Sequence, residues 1–225
     1  MAIHLNNMLE SAIFFKQNGY VKIKNFIEPG LAFLFYRYVI NETKRLCHFE
    51  NINPMSIKNG IFGTFDDVQA PNAFSKYGDL IFDTLLELKT DQMSQFCGVD
   101  LIPTYSYHRL YIYGNDLKRH KDRPSCEISA TLCLGYDISN VDKNKFSDYN
   151  WPMYVKSNNE EKPINLEPGD IIIYRGCDVE HWREPFIGNN HAQVFLHYNE
   201  KNNNNENKFD GRPVLGIHKD ERECN

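Results

Sequence analysis

The hydrophobic period of this chain changes once, near residue 100, and that change limits the folds open to it. Before it, "NMLESAIFFKQ", "PGLAFLFYRYVINETKRLC" and "YGDLIFDTLLELKTDQMSQF" carry apolar residues at helical spacing. Between the first two, "GYVKIKNFI" alternates and predicts a strand. After "CGVDLIP" come short alternating segments rich in Tyr, Ile and Val, cut by Gly, Pro and Asn, as in an antiparallel sandwich or barrel. We therefore expect a mainly β fold with N-terminal helices in a single domain spanning 1–225. Within it, 1–100 is a helical support region, 101–200 the β core and 201–225 a tail. At 225 residues the chain can bury a sizeable core without disulfide or metal staples.

Composition narrows the function classes. A net charge of -5 gives no standing attraction for nucleic acid or an anionic membrane. No run approaches the roughly 20 apolar residues of a membrane-spanning helix, and "MAIHLNNMLESAIFFKQ" lacks a basic segment followed by a clean apolar one. The expectation is a soluble, cytoplasmic protein. Its six cysteines show no CxxC spacing, which predicts free thiols in a reducing compartment. "EKNNNNENK" has no core-forming residues and predicts a mobile loop.

The tripeptide His-Lys-Asp occurs twice, and its surroundings separate the copies. His218 to Asp220 lies in "GIHKDERECN", a charged end with no later strand to bring another ligand, and is expected to be an inert, solvated tail. His120 to Asp122 follows the Tyr-rich "TYSYHRLYIYG" and precedes the apolar "CEISATLCLGYD", so strands on both sides can hold it. In an extended segment residues i and i+2 point the same way, so His120 and Asp122 can face one metal while Lys121 points away. Downstream, His181, His191 and His197 are candidate third ligands, and His181 stands out because it follows the apolar strand and turn of "GDIIIYRGCDVEHW". Two His and one carboxylate on one face of a metal leave positions open, which suits non-haem Fe(II) and oxygen activation.

The ordered set "GYVKIKNF", "YIYGNDLKRHKD" and "LEPGDIIIYRG...EH" resembles the Fe(II)/2-oxoglutarate-dependent dioxygenase superfamily, over roughly residues 10 to 200. The nearest branches are the prolyl-hydroxylase-like and phytanoyl-CoA-dioxygenase-like ones. The resemblance implies a double-stranded β-helix (jelly roll, cupin-like) with helices packed on one sheet. It also implies iron ligation by His120, Asp122 and His181, and Fe(II), 2-oxoglutarate and O2, with ascorbate as an accessory reductant. The implied reaction is hydroxylation of a C–H bond coupled to oxidative decarboxylation of 2-oxoglutarate. The substrate would be a peptidyl or free proline or, in the phytanoyl-type alternative, a small molecule. A cupin-like binding module without catalysis is the competing reading from another class.

In that superfamily a basic residue on the strand after the distal His pairs with the far carboxylate of 2-oxoglutarate. Here His191, Ala192 and Gln193 occupy the region, and none is a permanent cation. A buried carboxylate must be paired or fully hydrogen-bonded, so a cation has to come from elsewhere. Arg109 and Tyr111 share a face of the strand leading to the HxD segment, since Tyr105, Tyr107, Arg109, Tyr111 and Tyr113 alternate. Arg123, Arg183, Gln193 and His197 are the further candidates, Arg183 standing two residues past His181 on the same extended face. Trp182 and Phe186 flank the distal His, and the acidic "FDDV" with the segment around Pro71 to Phe74 is an expected lid by analogy with the superfamily.

Overall fold

The computed structural model describes residues 2–52, 62–142, 144–147, 149–201 and 208–218. The three helical patterns form α1 (Ala2–Asn18), α2 (Pro29–Ile52) and α3 (Leu80–Cys97). The α3 boundaries follow from local chemistry. Asp79 caps the first turn by accepting from the Ile81 N–H, and Gly98, at φ 69°, closes the last turn with its N–H on the Ser94 carbonyl.

Ten strands follow the alternating segments: β1 (Tyr20–Ile23), β2 (Phe74–Tyr77), β3 (Leu101–Ile112), β4 (Leu117–His120), β5 (Ile128–Asp137), β6 (Met153–Ser157), β7 (Glu160–Ile164), β8 (Ile171–Arg175), β9 (His181–Arg183) and β10 (Asn190–Glu200). They pair antiparallel into a six-stranded sheet, β1-β8-β5-β10-β3-β2, and a four-stranded sheet, β4-β9-β6-β7. This is a double-stranded β-helix, as the sequence led us to expect. Two of its strands come from the N-terminal hundred residues, where β1 and β2 form the edges of the larger sheet.

Alternation along β3 decides what each layer receives. Its even residues meet the helices: Ser106 donates from both N–H and Oγ to Asp83 of α3 (3.0 and 2.6 Å), and His108 lies 3.2 Å from Glu42 of α2. Its odd residues Tyr105, Tyr107 and Arg109 face the space between the sheets. The apolar core between helices and large sheet includes Phe15, Val39, Leu46, Phe82, Leu86, Ile128, Leu132, Ile173 and Val194.

The C-terminal segment departs from expectation. Residues 208–218 are docked: Arg212 donates to Asp83 at 2.7 Å, both side chains being at most 1% exposed, and Tyr77 donates to Asp210 at 2.8 Å. The His218 ring packs edge-on against Tyr77, at 5.5 Å. A buried aspartate needs a counter-charge, and Arg212 supplies it, so this stretch cannot be a solvated tail. Asp220, Cys224 and residues 202–207 of the polar stretch lie outside the described residues.

Candidate metal centre and adjoining pocket

His120 ends β4 and His181 begins β9, and the two are paired across the small sheet. Their rings sit 4.2 Å apart. Asp122, two residues past the end of β4, is held by its N–H on the Gly176 carbonyl at 2.8 Å. Its Oδ1 lies 3.5 Å from Nε2 of both His120 and His181. Among the described residues this is the one group of three His, Cys or acidic side chains whose ligand atoms gather, all within 4.8 Å of one another. Ligands about 2.1 Å from a shared ion, at right angles, would be about 3 Å apart, so a small contraction closes the set.

The imidazoles are fixed from behind. Nδ1 of His120 meets the Lys118 carbonyl at 2.7 Å, and Nδ1 of His181 meets the Val179 carbonyl at 3.0 Å. A carbonyl can only accept, so each Nδ1 carries a proton, and each Nε2 is turned to Asp122, where it donates while it holds a proton and offers a lone pair to an ion once that proton is lost. Burial opposes ionisation of Asp122, but hydrogen bonds from both imidazoles outweigh it and hold the carboxyl well below the usual range. For His120, burial favours the neutral ring, yet Asp122 and the Lys118 carbonyl raise its pKa. Gly176 is required here by contact alone. A Cβ on it would stand 2.3 Å from the Cys126 carbonyl oxygen and 2.5 Å from Oδ2 of Asp122.

The triad opens into a cavity of about 470 Å³ walled by Tyr105, Tyr107, Arg109, Phe195 and His197, with Asp67, Val68 and Gln69 along one side. The cosubstrate candidates separate into three places. Arg123 is at the mouth: it lies over the Tyr105 ring at 4.8 Å and reaches Asp210 at 3.3 Å, with its side chain 53% exposed. His197 is beside the metal centre, with Nδ1 2.9 Å from Ser129 Oγ. Arg109 of β3 lines the cavity, whereas Tyr111 of β3, Gln193 of β10 and Arg183 of β9 are buried and are not among its lining residues.

The two deep guanidiniums differ in one respect. Arg109 ion-pairs with Asp67 from the segment ahead of β2, and Tyr107 donates to the same Oδ2 at 2.6 Å. Although burial works against it, this company raises the Arg109 pKa and lowers that of Asp67. Arg183 is 3% exposed, and among the described residues no carboxylate pairs with it. Its Nη1 donates to the Trp151 carbonyl, its guanidinium lies 4.5 Å from the Trp151 ring centre, and its Nη2 has no partner. Burial without a counter-ion pushes its pKa down to about 10. Trp151 itself sits at φ 42°, a conformation that bulky residues seldom adopt and that tends to persist at functional sites.

Other unmet polar atoms face the same interior. Gln193 Oε1 and Thr131 Oγ1 are buried without partners. Tyr111 accepts from Arg109 Nη1 at 2.7 Å, so its own O–H is left to donate elsewhere. Gln193 follows a bulge between β10 and β5 and contacts Nδ1 of His191 at 3.2 Å. His191, buried beside Arg183, stays neutral, its pKa pushed well below 6.5 by burial first and the guanidinium second. Of these atoms the donors, Arg183 Nη2 and the Tyr111 and Thr131 hydroxyls, are ones an anion would satisfy, whereas Gln193 Oε1 is an acceptor and would need its amide turned over.

Several residues stand elsewhere than the cavity wall. Trp182 faces outward, stacked on Tyr154 at 5.4 Å and beneath Arg119. Phe186 belongs to a buried aromatic cluster with Tyr111 and Trp151. Ser129 and Trp151 were not legible as site residues, because their roles depend on inward alternation of β5 and on a loop carbonyl. Asp67 was visible only as part of an acidic pair.

No family model and no curated protein sequence matches the chain. Solved structures do. A Pseudomonas putida prolyl-4-hydroxylase aligns at 13% identity and TM-score 0.59, covering 86% of this chain and 99% of its own. The non-haem 2-oxoglutarate-dependent epimerase SnoN of nogalamycin biosynthesis aligns at 12% and 0.61, covering 87% and 83%. HygX from Streptomyces hygroscopicus, solved with nickel and 2-oxoglutarate, aligns at 10% and 0.58, covering 86% and 87%. At these identities the likeness establishes a shared fold, the double-stranded β-helix of 2-oxoglutarate-Fe(II) oxygenases.

Proposed function

We propose that the protein is a non-haem Fe(II)- and 2-oxoglutarate-dependent oxygenase that hydroxylates a C–H bond. The observation that carries this reading is the convergence of His120, Asp122 and His181, with both Nε2 atoms turned to one carboxylate oxygen. Three protein ligands on one face leave the remaining positions open. When bound there, iron and 2-oxoglutarate supply an O2-driven oxidation of a substrate C–H bond coupled to loss of CO2.

The chain's own residues do the positioning. Arg183 Nη2 and the Tyr111 hydroxyl would hold the far carboxylate of 2-oxoglutarate, filling the donors that lack partners. The Gln193 amide, turned over, keeps its His191 contact with Nδ1–H donating and offers its own N–H to the same anion. Arg109 acts through Tyr111, which its Nη1 reaches, while its Nη2 is committed to Asp67 and Gln69 and its Nε has no partner. Tyr105, Tyr107 and Phe195 wall the space beside the triad.

For the substrate, the finer reading is proline, in a peptide or as the free amino acid. The open aromatic-lined mouth supports it, since flat rings pack against a pyrrolidine. A phytanoyl-type small acid is the runner-up, favoured by the Arg123 guanidinium at the mouth. The unbridged thiols of Cys97, Cys126, Cys133 and Cys177 support a reducing compartment, for which we propose the cytoplasm. Succinate release from 2-oxoglutarate with Fe(II) and ascorbate tests the assignment. Wild type should turn over and Asp122→Ala should not, and equal turnover would reject the triad.

A further inference from the structure

The Asp122 carboxylate has two oxygens in different company. Oδ1 faces His120 and His181, whereas Oδ2 accepts from Ser129 Oγ at 2.6 Å. The Ser129 hydroxyl has one proton and two lone pairs, and its 2.6 Å contact to a carboxylate takes the proton. Nδ1 of His197, 2.9 Å from the same Oγ, must therefore be the donor in that second contact. The bonds form a directed line, His197 to Ser129 to Asp122, fully buried at Ser129 and 7% exposed at His197. The His197 ring is itself packed on Tyr105, 4.5 Å between centres. Asp122 cannot swivel about its last torsion without breaking the Ser129 bond.

We propose that Ser129 and His197 are positioning residues that hold Asp122 to one-oxygen ligation. A carboxylate free to rotate can chelate an ion through both oxygens and occupy a position that cosubstrate or O2 needs. With Oδ2 tied to Ser129, only Oδ1 is offered. His197 acts through the serine: it orients the hydroxyl proton by filling one of the Oγ lone pairs. This inference rests on the metal reading of the triad, and its test separates the two.

The experiment uses Mn(II) on the full chain without cosubstrate, reading affinity and, from water-proton relaxation, the number of metal-bound waters. Wild type should bind with about three waters, one for each open octahedral position. Ser129→Ala should bind about 10- to 100-fold more weakly, the usual effect of losing a hydrogen bond behind a ligand, and should lose about one water as Asp122 becomes bidentate. Ser129→Thr, which keeps the hydroxyl, should restore both values. His197→Phe should move them the same way as Ser129→Ala, and His197→Asn, which keeps a donor, should move them less. If wild type binds no Mn(II), the triad reading falls and this inference with it. If wild type binds and folded Ser129→Ala and His197→Phe match it in affinity and hydration, the triad stands and the positioning role is refuted.

Discussion

Replacing Arg183 with methionine separates a residue kept for a ligand from one kept for the fold. Arg183 is buried with Nη2 unpartnered and no carboxylate beside it, so the folded protein bears its desolvation without ion-pair compensation. Methionine fills a similar volume, and the loss of the Trp151 carbonyl bond and ring contact is offset by removing the uncompensated charge. We expect the ligand-free stability to change by no more than about 1 kcal/mol. With 2-oxoglutarate the balance differs. Hydrogen bonds to a charged partner contribute about 1.5–3 kcal/mol each, so losing the guanidinium should weaken binding about 100-fold. At a ligand concentration 100 times the wild-type Kd, binding stabilises wild type by about 2.7 kcal/mol but the variant by only about 0.4 kcal/mol. For a chain of this length that is about 5–11 °C of melting shift against about 1 °C. Thermal melts with Mn(II) in place of iron, with and without 2-oxoglutarate, read both effects without turnover. A variant that melts far below wild type yet keeps the full ligand-induced shift would refute the reasoning, because Arg183 would then be structural.

Further outcomes follow from other contacts. Gly176→Ala should abolish metal binding measured by Mn(II) titration, since its Cβ would overlap Asp122 and Cys126, and retention of wild-type affinity would show that the turn yields freely. Arg212→Met leaves Asp83 buried without its cation and should destabilise the chain by about 3–5 kcal/mol in urea unfolding, whereas a cost under about 1 kcal/mol would mean that the C-terminal segment contributes little. Acid should destabilise the metal-free protein early. Burial lowers the His197 pKa from 6.5 to about 4 and holds that of His191 well below 6.5, so the unfolded chain protonates first. Stability from these rings is complete above about pH 6.5 and lost as pH falls towards 4, at about 3 kcal/mol for His197. A melting temperature flat between those values would contradict their burial as neutral rings.

How much was legible in the sequence depended on how local each signal was. The helices and most strands followed from hydrophobic period, and the first His-Lys-Asp followed from its place between two strands, with His181 identified by the turn before it. These features need only neighbouring residues or one pairing. The separation of Arg109 from Arg183 was not legible, because it depends on whether a carboxylate from a distant segment arrives, and Asp67 reaches only the first. Ser129 was hidden for the same reason, as its bond to Asp122 needs both the inward face of β5 and the bend after β4. The C-terminal segment was misread because charge alone suggested solvation, while its Arg212 serves a buried aspartate 129 positions earlier.

The place of β10 sets the order in which such a chain can become whole. It lies between β5 and β3 in the larger sheet, pairing with residues 128–137 on one side and 101–112 on the other. During synthesis the helices and His120, Asp122 and His181 emerge before it, so a nascent chain ending near residue 185 has the three proposed ligands but a sheet split down the middle. Pairing partners so far apart in sequence make closure slow and expose the unpaired edges of β3 and β5 meanwhile. Insertion of one late strand then joins the halves, brings Gln193 and His197 to their places, and turns a set of ligands into an enclosed site.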